Sequence, residues 1–125
     1  MIDKAVPSIM LSHAGLTALI GTRVLPLTLG DKTSLPAVTY QKISDVRGPA
    51  GTGTRIARFQ ISCIAKTLLE AKEVVAQVQS AFDRQHRTVS GVQVFDSDPE
   101  DDYDEYDEET KLCRVPVDIL VKYKV

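Results

Sequence analysis

The chain has no tryptophan, two histidines, two cysteines and only 6% aromatic residues. These absences exclude much chemistry. No G-x-S-x-G is present, so a Ser/His/Asp arrangement lacks its activated serine. Zinc needs closely spaced cysteine and histidine ligands, and Cys63 and Cys113 stand fifty residues apart. Gly48, Gly51 and Gly53 are not followed by the lysine and hydroxyl of a P-loop, nor do they complete G-x-G-x-x-G. His13 falls on an apolar helix face, where a hydrogen-bonded core histidine is the simpler reading. His86 sits in a basic helix end, where it fits a capping role. No nucleophile, base and orienter can be named, so neither an enzyme nor a cofactor is expected. No apolar run approaches the roughly 20 residues of a membrane span. The N-terminus carries no basic leader before a clean apolar stretch, so no signal peptide is expected. Two buried thiols then fit a reducing compartment and synthesis inside the cell.

What the chain does have is a concentrated charge. From Asp96 to Glu109 it reads DSDPEDDYDEYDEE, with ten carboxylates and no base: Asp96, Asp98, Glu100, Asp101, Asp102, Asp104, Glu105, Asp107, Glu108 and Glu109. The whole chain holds 17 acids and 15 bases. Without this run the balance is basic, so a mildly cationic domain carries one acidic element, a pattern that speaks of partners more than of fold. The run is not an EF-hand: its sixth position is Asp101 where the loop requires glycine, and its flanks read as strands. No metal is expected. Tyr103 and Tyr106 interrupt the acids, as anchors or as alternating positions.

The 125 residues fit a single domain over 1–125. Val6, Ile9, Met10, His13, Leu16, Leu19 and Ile20 give a helical stripe over about 3–20 that Gly21 stops, with its true start near Val6 because Pro7 belongs in a first turn. A short segment ending at Pro26 and a polar turn over 29–34 follow. A strand runs from Leu35 to Ile43, then a glycine-rich, flexible arm over about 44–54, then a strand from Arg55 to Lys66 with Phe59, Ile61, Cys63 and Ala65 on one face. The arm region holds Asp45, Arg47, Gly48, Pro49, Gly51, Gly53, Arg55 and Arg58, candidates for contact with a subunit or partner. Thr67 to Glu70 reads as a capping box for a helix whose apolar face is Ala71, Val74, Val75, Val78, Ala81 and Phe82. Strands over about 89–95 and 112–123 flank the acidic run, making it a hairpin tip over about 96–109. Pro116 marks the last strand as an edge or a bulge. The fold class is α+β: one antiparallel or mixed sheet of about four strands, two helices on one face and a long flexible hairpin arm.

Four stretches carry a resemblance: GLTALIGTRVLPL, LPAVTYQKISDVRG, RFQISCIAKTLLEAKEVVAQVQSAFD and the terminal VPVDILVKY. In this order the chain resembles the tail-completion, tail-terminator or head-to-tail joining proteins of long-tailed bacteriophages and prophages. The acidic hairpin is longer and more charged than the family pattern. The resemblance implies a structural virion protein at the head-proximal end of the tail, assembled in the host cytoplasm into a ring, commonly a hexamer. Its implied partners are further copies, the tail tube protein and the head connector or adaptor proteins. DNA would pass through the ring without specific binding, and no membrane is involved. The acidic tip would face the DNA channel or a partner ring, where carboxylates offer phosphates nothing to hold. The arm would order on assembly. Two rival readings are a head-side connector adaptor, which tends to be more helical, and an acidic DNA mimic that binds a host protein.

Overall fold

A computed structural model describes residues 1–30 and 33–125. Asp31 and Lys32, the centre of the polar turn expected over 29–34, lie outside the described residues. The elements are α1 (Ile2–Leu11), α2 (Ala14–Ile20), β1 (Val24–Pro26), β2 (Ala37–Arg47), β3 (Thr54–Ala65), α3 (Leu68–Ala81), β4 (Arg87–Val89), β5 (Val92–Asp102), β6 (Glu105–Asp107) and β7 (Leu112–Lys124).

The alternation of β3 and β7 decides the rest. Twelve consecutive pairs, from Thr54↔Lys124 to Ala65↔Cys113, join them antiparallel. In this register Phe59 meets Ile119, Ile61 meets Val117 and Cys63 meets Val115, so the apolar residues of both strands share one face. That face is buried beneath the helices in a single core with Val6, Ile9 and Met10 of α1, Leu16 and Ile20 of α2, and Val74 and Val78 of α3. Cys63 lies within it; burial raises its thiol pKa well above the usual range. Both cysteines are free thiols. The sheet order is β1-β2-β3-β7-β5-β4, with β6 also pairing β7, and β1 joins β2 in parallel.

The expected sheet of about four strands under two helices is therefore corrected. Among the described residues, seven strands form a curled, mixed half-barrel with three helices. Three of the strands, β1, β4 and β6, are only three residues long, too short to show a period of two. The helix expected over 3–20 is two helices. His13 has extended dihedrals and ends the first, and Ser12 folds its hydroxyl back onto the Ile9 carbonyl. The first helix also begins earlier than expected, at Ile2, with Pro7 inside it. The missing Pro7 N–H costs one helical bond, which burial of Ile2, Ala5, Val6, Ile9 and Met10 offsets. The second expected helix is α3; its cap is present, with Thr67 Oγ1 accepting from the Glu70 N–H at 3.2 Å, and its buried face is the expected one.

The arm is also shorter in its fold than the sequence implies. The β2–β3 ladder continues through Val46↔Ile56 and Arg47↔Arg55, with a bulge between Lys42 and Ser44. That leaves the residues from Gly48 to Gly53 as the connection. Pro116, expected at an edge or a bulge, lies in central β7 opposite Ser62. Its carbonyl accepts from the Tyr103 N–H, so its backbone points to the side where β5 has ended at Asp102 and β6 has yet to begin at Glu105. The missing N–H thus falls in a gap between two strands, where no ladder bond is lost.

Replacing Phe59, which with Phe82 is the largest fully buried side chain, with alanine should lower unfolding stability by about 3–5 kcal/mol. Leu69→Ala, at a residue 78% exposed, should change it by no more than about 0.5 kcal/mol. Urea unfolding followed by circular dichroism measures both; equal effects would contradict this assignment of the core.

Candidate functional site

Two regions were singled out by sequence: the arm lies at one end of the β3–β7 ladder, and the acidic run starts near that end, with Asp96 opposite Lys122, and travels to the other. The β2–β3 turn and the end of β7 lie at one end, and the turn between β6 and β7 lies at the other.

At the first end, β2 and β3 set Arg47 directly opposite Arg55. Like charges so placed repel, and Asp45 resolves half of the conflict. Its Oδ1 accepts from Arg55 Nε at 3.0 Å, its carbonyl accepts from Arg55 Nη2 at 3.2 Å, and its Oδ2 accepts from the Tyr123 hydroxyl at 2.5 Å. Lys42 Nζ adds a looser contact to Asp45 at 3.8 Å and reaches Asp3 of α1 at 3.4 Å. Asp45 holds the Arg55 guanidinium in its charged form, chiefly by accepting its hydrogen bond. Tyr123 is pushed up to about 12, first by burial and then by the adjacent Asp45 carboxylate. Arg47 has no carboxylate partner among the described residues.

The connection beyond this cluster is knit to itself. Gly48 N–H donates to the Thr54 carbonyl at 2.8 Å, and the Thr52 hydroxyl bonds the Pro49 carbonyl at 2.6 Å. Gly51 and Gly53 take φ of 80° and 71°, conformations that a side chain disfavours. A side chain at Gly48 would press within 2.4 Å of the Thr54 hydroxyl. Arg58 does not join this cluster. It lies on the opposite face of β3 and pairs with Glu100 at 3.2 Å.

The acidic run is mostly strand. β5 continues past Phe95 to Asp102, with register shifts at Val94/Asp96 and Pro99/Asp101. Ser97 and Pro99 pair with Val121 and Ile119, residues of the core face, so Asp96 and Asp98 point to the other face. Ser97 is buried and its hydroxyl donates to the Phe82 carbonyl. The alternation Asp-Ser-Asp-Pro was the available signal for this strand, but its inward positions hold no large apolar residue.

Several of the ten carboxylates are tied to the domain. Asp96 pairs with Arg84 at 3.2 Å, Asp104 with Lys72 at 2.6 Å and Glu105 with Arg114 at 3.7 Å. Asp102 accepts from Gln79 Nε2 at 2.9 Å. Asp107 accepts the Glu109 N–H at 2.9 Å and is held below the usual carboxylate range chiefly by that bond. Asp98, Asp101, Glu108 and Glu109 carry no cationic partner among the described residues. Tyr103 and Tyr106 are exposed. No group of His, Cys, Asp and Glu suited to a metal ion occurs among the described residues. His13, read as a core histidine, bonds Gln77 Oε1 through Nε2 at 3.1 Å and links α2 to α3.

Sequence reasoning missed the sheet edges. The outer edge of β5 is closed: Arg84 N–H donates to the Ser97 carbonyl, His86 Nδ1 donates to the Phe95 carbonyl, and Pro99 has no N–H to offer. The outer edge of β2 is covered by β1 only from Val38 to Tyr40. Beyond that point Ile43 and Val46 are about half exposed. Open edges of this kind invite contact with another chain.

Tyr123→Phe should cost roughly 1–2 kcal/mol, the lower part of the range for a hydrogen bond to a charge, because this end opens to water. A phenol whose pKa is raised in the folded state adds stability below its unfolded value near pH 10 and loses it as pH climbs towards about 12. The gap between wild type and variant should therefore be constant at neutral pH and close over that alkaline window. Denaturant titrations across pH test this; a gap that persists above pH 12 would contradict it.

Comparison with known proteins gives one family and one fold. Residues 4–124 match the family described as tail completion protein gp17. No curated protein matches the chain. Among solved structures, a chain from the virion of a native gene transfer agent (GTA) particle is similar, with a TM-score of 0.79 and 20% identity over 97% of this chain and 92% of that one. At that identity the likeness shows the fold. The family match runs from the first helix to the last strand, and the chain belongs to the tail completion protein gp17 family.

Proposed function

We propose that this protein is a tail terminator, a ring-forming subunit that caps the tail tube at its head-proximal end and joins it to the head connector. Its family makes it a structural protein of a phage tail and a component of the virion. The match over residues 4–124 is the observation that carries the finer reading.

The molecule's form supports that reading in two respects. A cyclic ring needs a heterologous contact, one patch against a different patch on the next copy. The chain offers two unlike ends on one rigid sheet. The carboxylates that hold no internal cation suit a lumen or rim that DNA passes without sticking, since phosphates gain nothing from them. The partners in this reading are further copies, the tail tube protein and the head connector or adaptor proteins.

The test is the mass of the purified protein in solution, followed across protein concentration and salt, with negative-stain images of any large species. A closed ring of about six copies is expected. A protein that remains a monomer or dimer under all conditions would contradict the ring.

A further inference from the structure

We infer that the cationic end of one subunit docks on the acidic end of the next copy, so that the two ends of the β3–β7 ladder are the two halves of one repeating contact. This rests on the ring reading for its closure, though not for the contact itself.

The topology assembles each end from distant sequence. Thr54↔Lys124 and Ile56↔Lys122 bring the tail of β7 beside the β2–β3 turn, where Arg47 lies. Arg47, Lys122 and Lys124 are exposed, and none has a carboxylate partner among the described residues. Gly53 leaves room for this arrangement: a Cβ there would come within 3.3 Å of Lys124 Cε. At the far end, Ala65↔Cys113 and Asp107↔Leu112 close the ladders, and Glu108 and Glu109 stand exposed in the turn beyond them. Asp107, exposed at the close of β6 and without a cationic partner among the described residues, joins them, whereas Asp101 lies opposite Asp118 in the middle of β7. Two cations, Lys66 and Lys111, share this end, but the acids outnumber them. The thirteen residues of β7 separate the two ends by roughly 40 Å.

The distribution of ion pairs argues for a partner. Some carboxylates lying against the sheet and α3 are matched within the chain, as with Glu100 to Arg58 and Asp104 to Lys72. Among the described residues the unmatched cations Arg47, Lys122 and Lys124 gather where the ladders begin, while unmatched carboxylates run along β5 as Asp98 and Asp101 and reach the far turn as Glu108 and Glu109. Unlike patches on opposite ends of one body generate a heterologous contact that repeats from copy to copy. The same chain supplies the complement, which makes a second copy the occupant. DNA is the weaker candidate for the cationic end. Three cations unpaired among the described residues stand there, Arg47 on one face of the sheet and Lys122 and Lys124 on the other, and strong phosphate binding uses more contacts than that.

Charge exchange tests this. The first variant, Arg47→Glu with Lys122→Glu and Lys124→Glu, carries two acidic ends. The second, Glu108→Lys with Glu109→Lys, carries two basic ends. Each alone should lose assembly by at least about tenfold in apparent affinity, and an equimolar mixture should recover it through alternating copies. Sedimentation reads all three samples, with circular dichroism to show that each variant is folded. Salt gives a reading free of mutation: wild-type assembly should weaken as ionic strength rises.

If both variants form wild-type rings alone, the ring reading survives and this contact is overturned. If the first variant assembles normally but loses retention on a DNA column that holds wild type, the cationic end serves phosphates and the proposal fails. If wild type never assembles, the ring reading and the proposal fall together.

Discussion

The antiparallel ladder between β3 and β7 is the constraint on which the rest of the molecule depends. Its twelve pairs fix which residues face inward, and one continuous core with three helices follows from that choice. A slip of β3 by one residue would turn Phe59, Ile61 and Cys63 outward together, away from Val117 and Ile119. The same ladder also sorts charge. Because the two strands run in opposite directions, the β2–β3 turn and the end of β7 meet at one end, and the β6–β7 turn lies at the other. Residues 47 and 124 become neighbours in space, and both are carried far from 108 and 109.

This placement changes the meaning of the acidic run. In sequence it is one block of like charge, whose natural reading is a solvated loop. In the fold it is mostly the outer face of a strand, laced to Arg84, Arg58, Lys72 and Arg114. Exposed ion pairs of this kind add little stability individually. They cancel part of the charge along β5, while Asp98 and Asp101 beside the middle of β7 and Glu108 and Glu109 in the far turn keep no cationic partner among the described residues. A structural protein of a phage tail meets several neighbours at fixed positions, and unlike ends allow it to distinguish them by orientation as well as by shape.

Much of this was legible in the sequence, and the failures have physical causes. The long alternations of β3 and β7, the cap at Thr67 and the apolar face of α3 were readable because burial imposes their periods. The family was readable from four stretches of the chain. The strand count was not, because β1, β4 and β6 are held by backbone bonds to longer neighbours rather than by patterns of their own. The split between α1 and α2 was hidden by an apolar stripe that continues across His13, since both helices pack on one core. β5 was cut short at Phe95 because its inward positions beyond that point are Ser97 and Pro99. Of the candidate site, sequence gave the two charged regions. It could not show that Asp45 binds Arg55 and Tyr123, or which acids remain unpaired, since those depend on partners far along the chain.

The central claim is that the two ends of one subunit meet on neighbouring copies. Zero-length carbodiimide cross-linking of the assembled protein, read by peptide mass spectrometry, addresses it most directly. The ends lie roughly 40 Å apart within a subunit, so a bond between them must join two copies. The account predicts links from Lys122 or Lys124 to Glu108 or Glu109, lost when rings are dissociated by dilution. Rings whose links between copies run elsewhere, with these lysines unlinked, would contradict it.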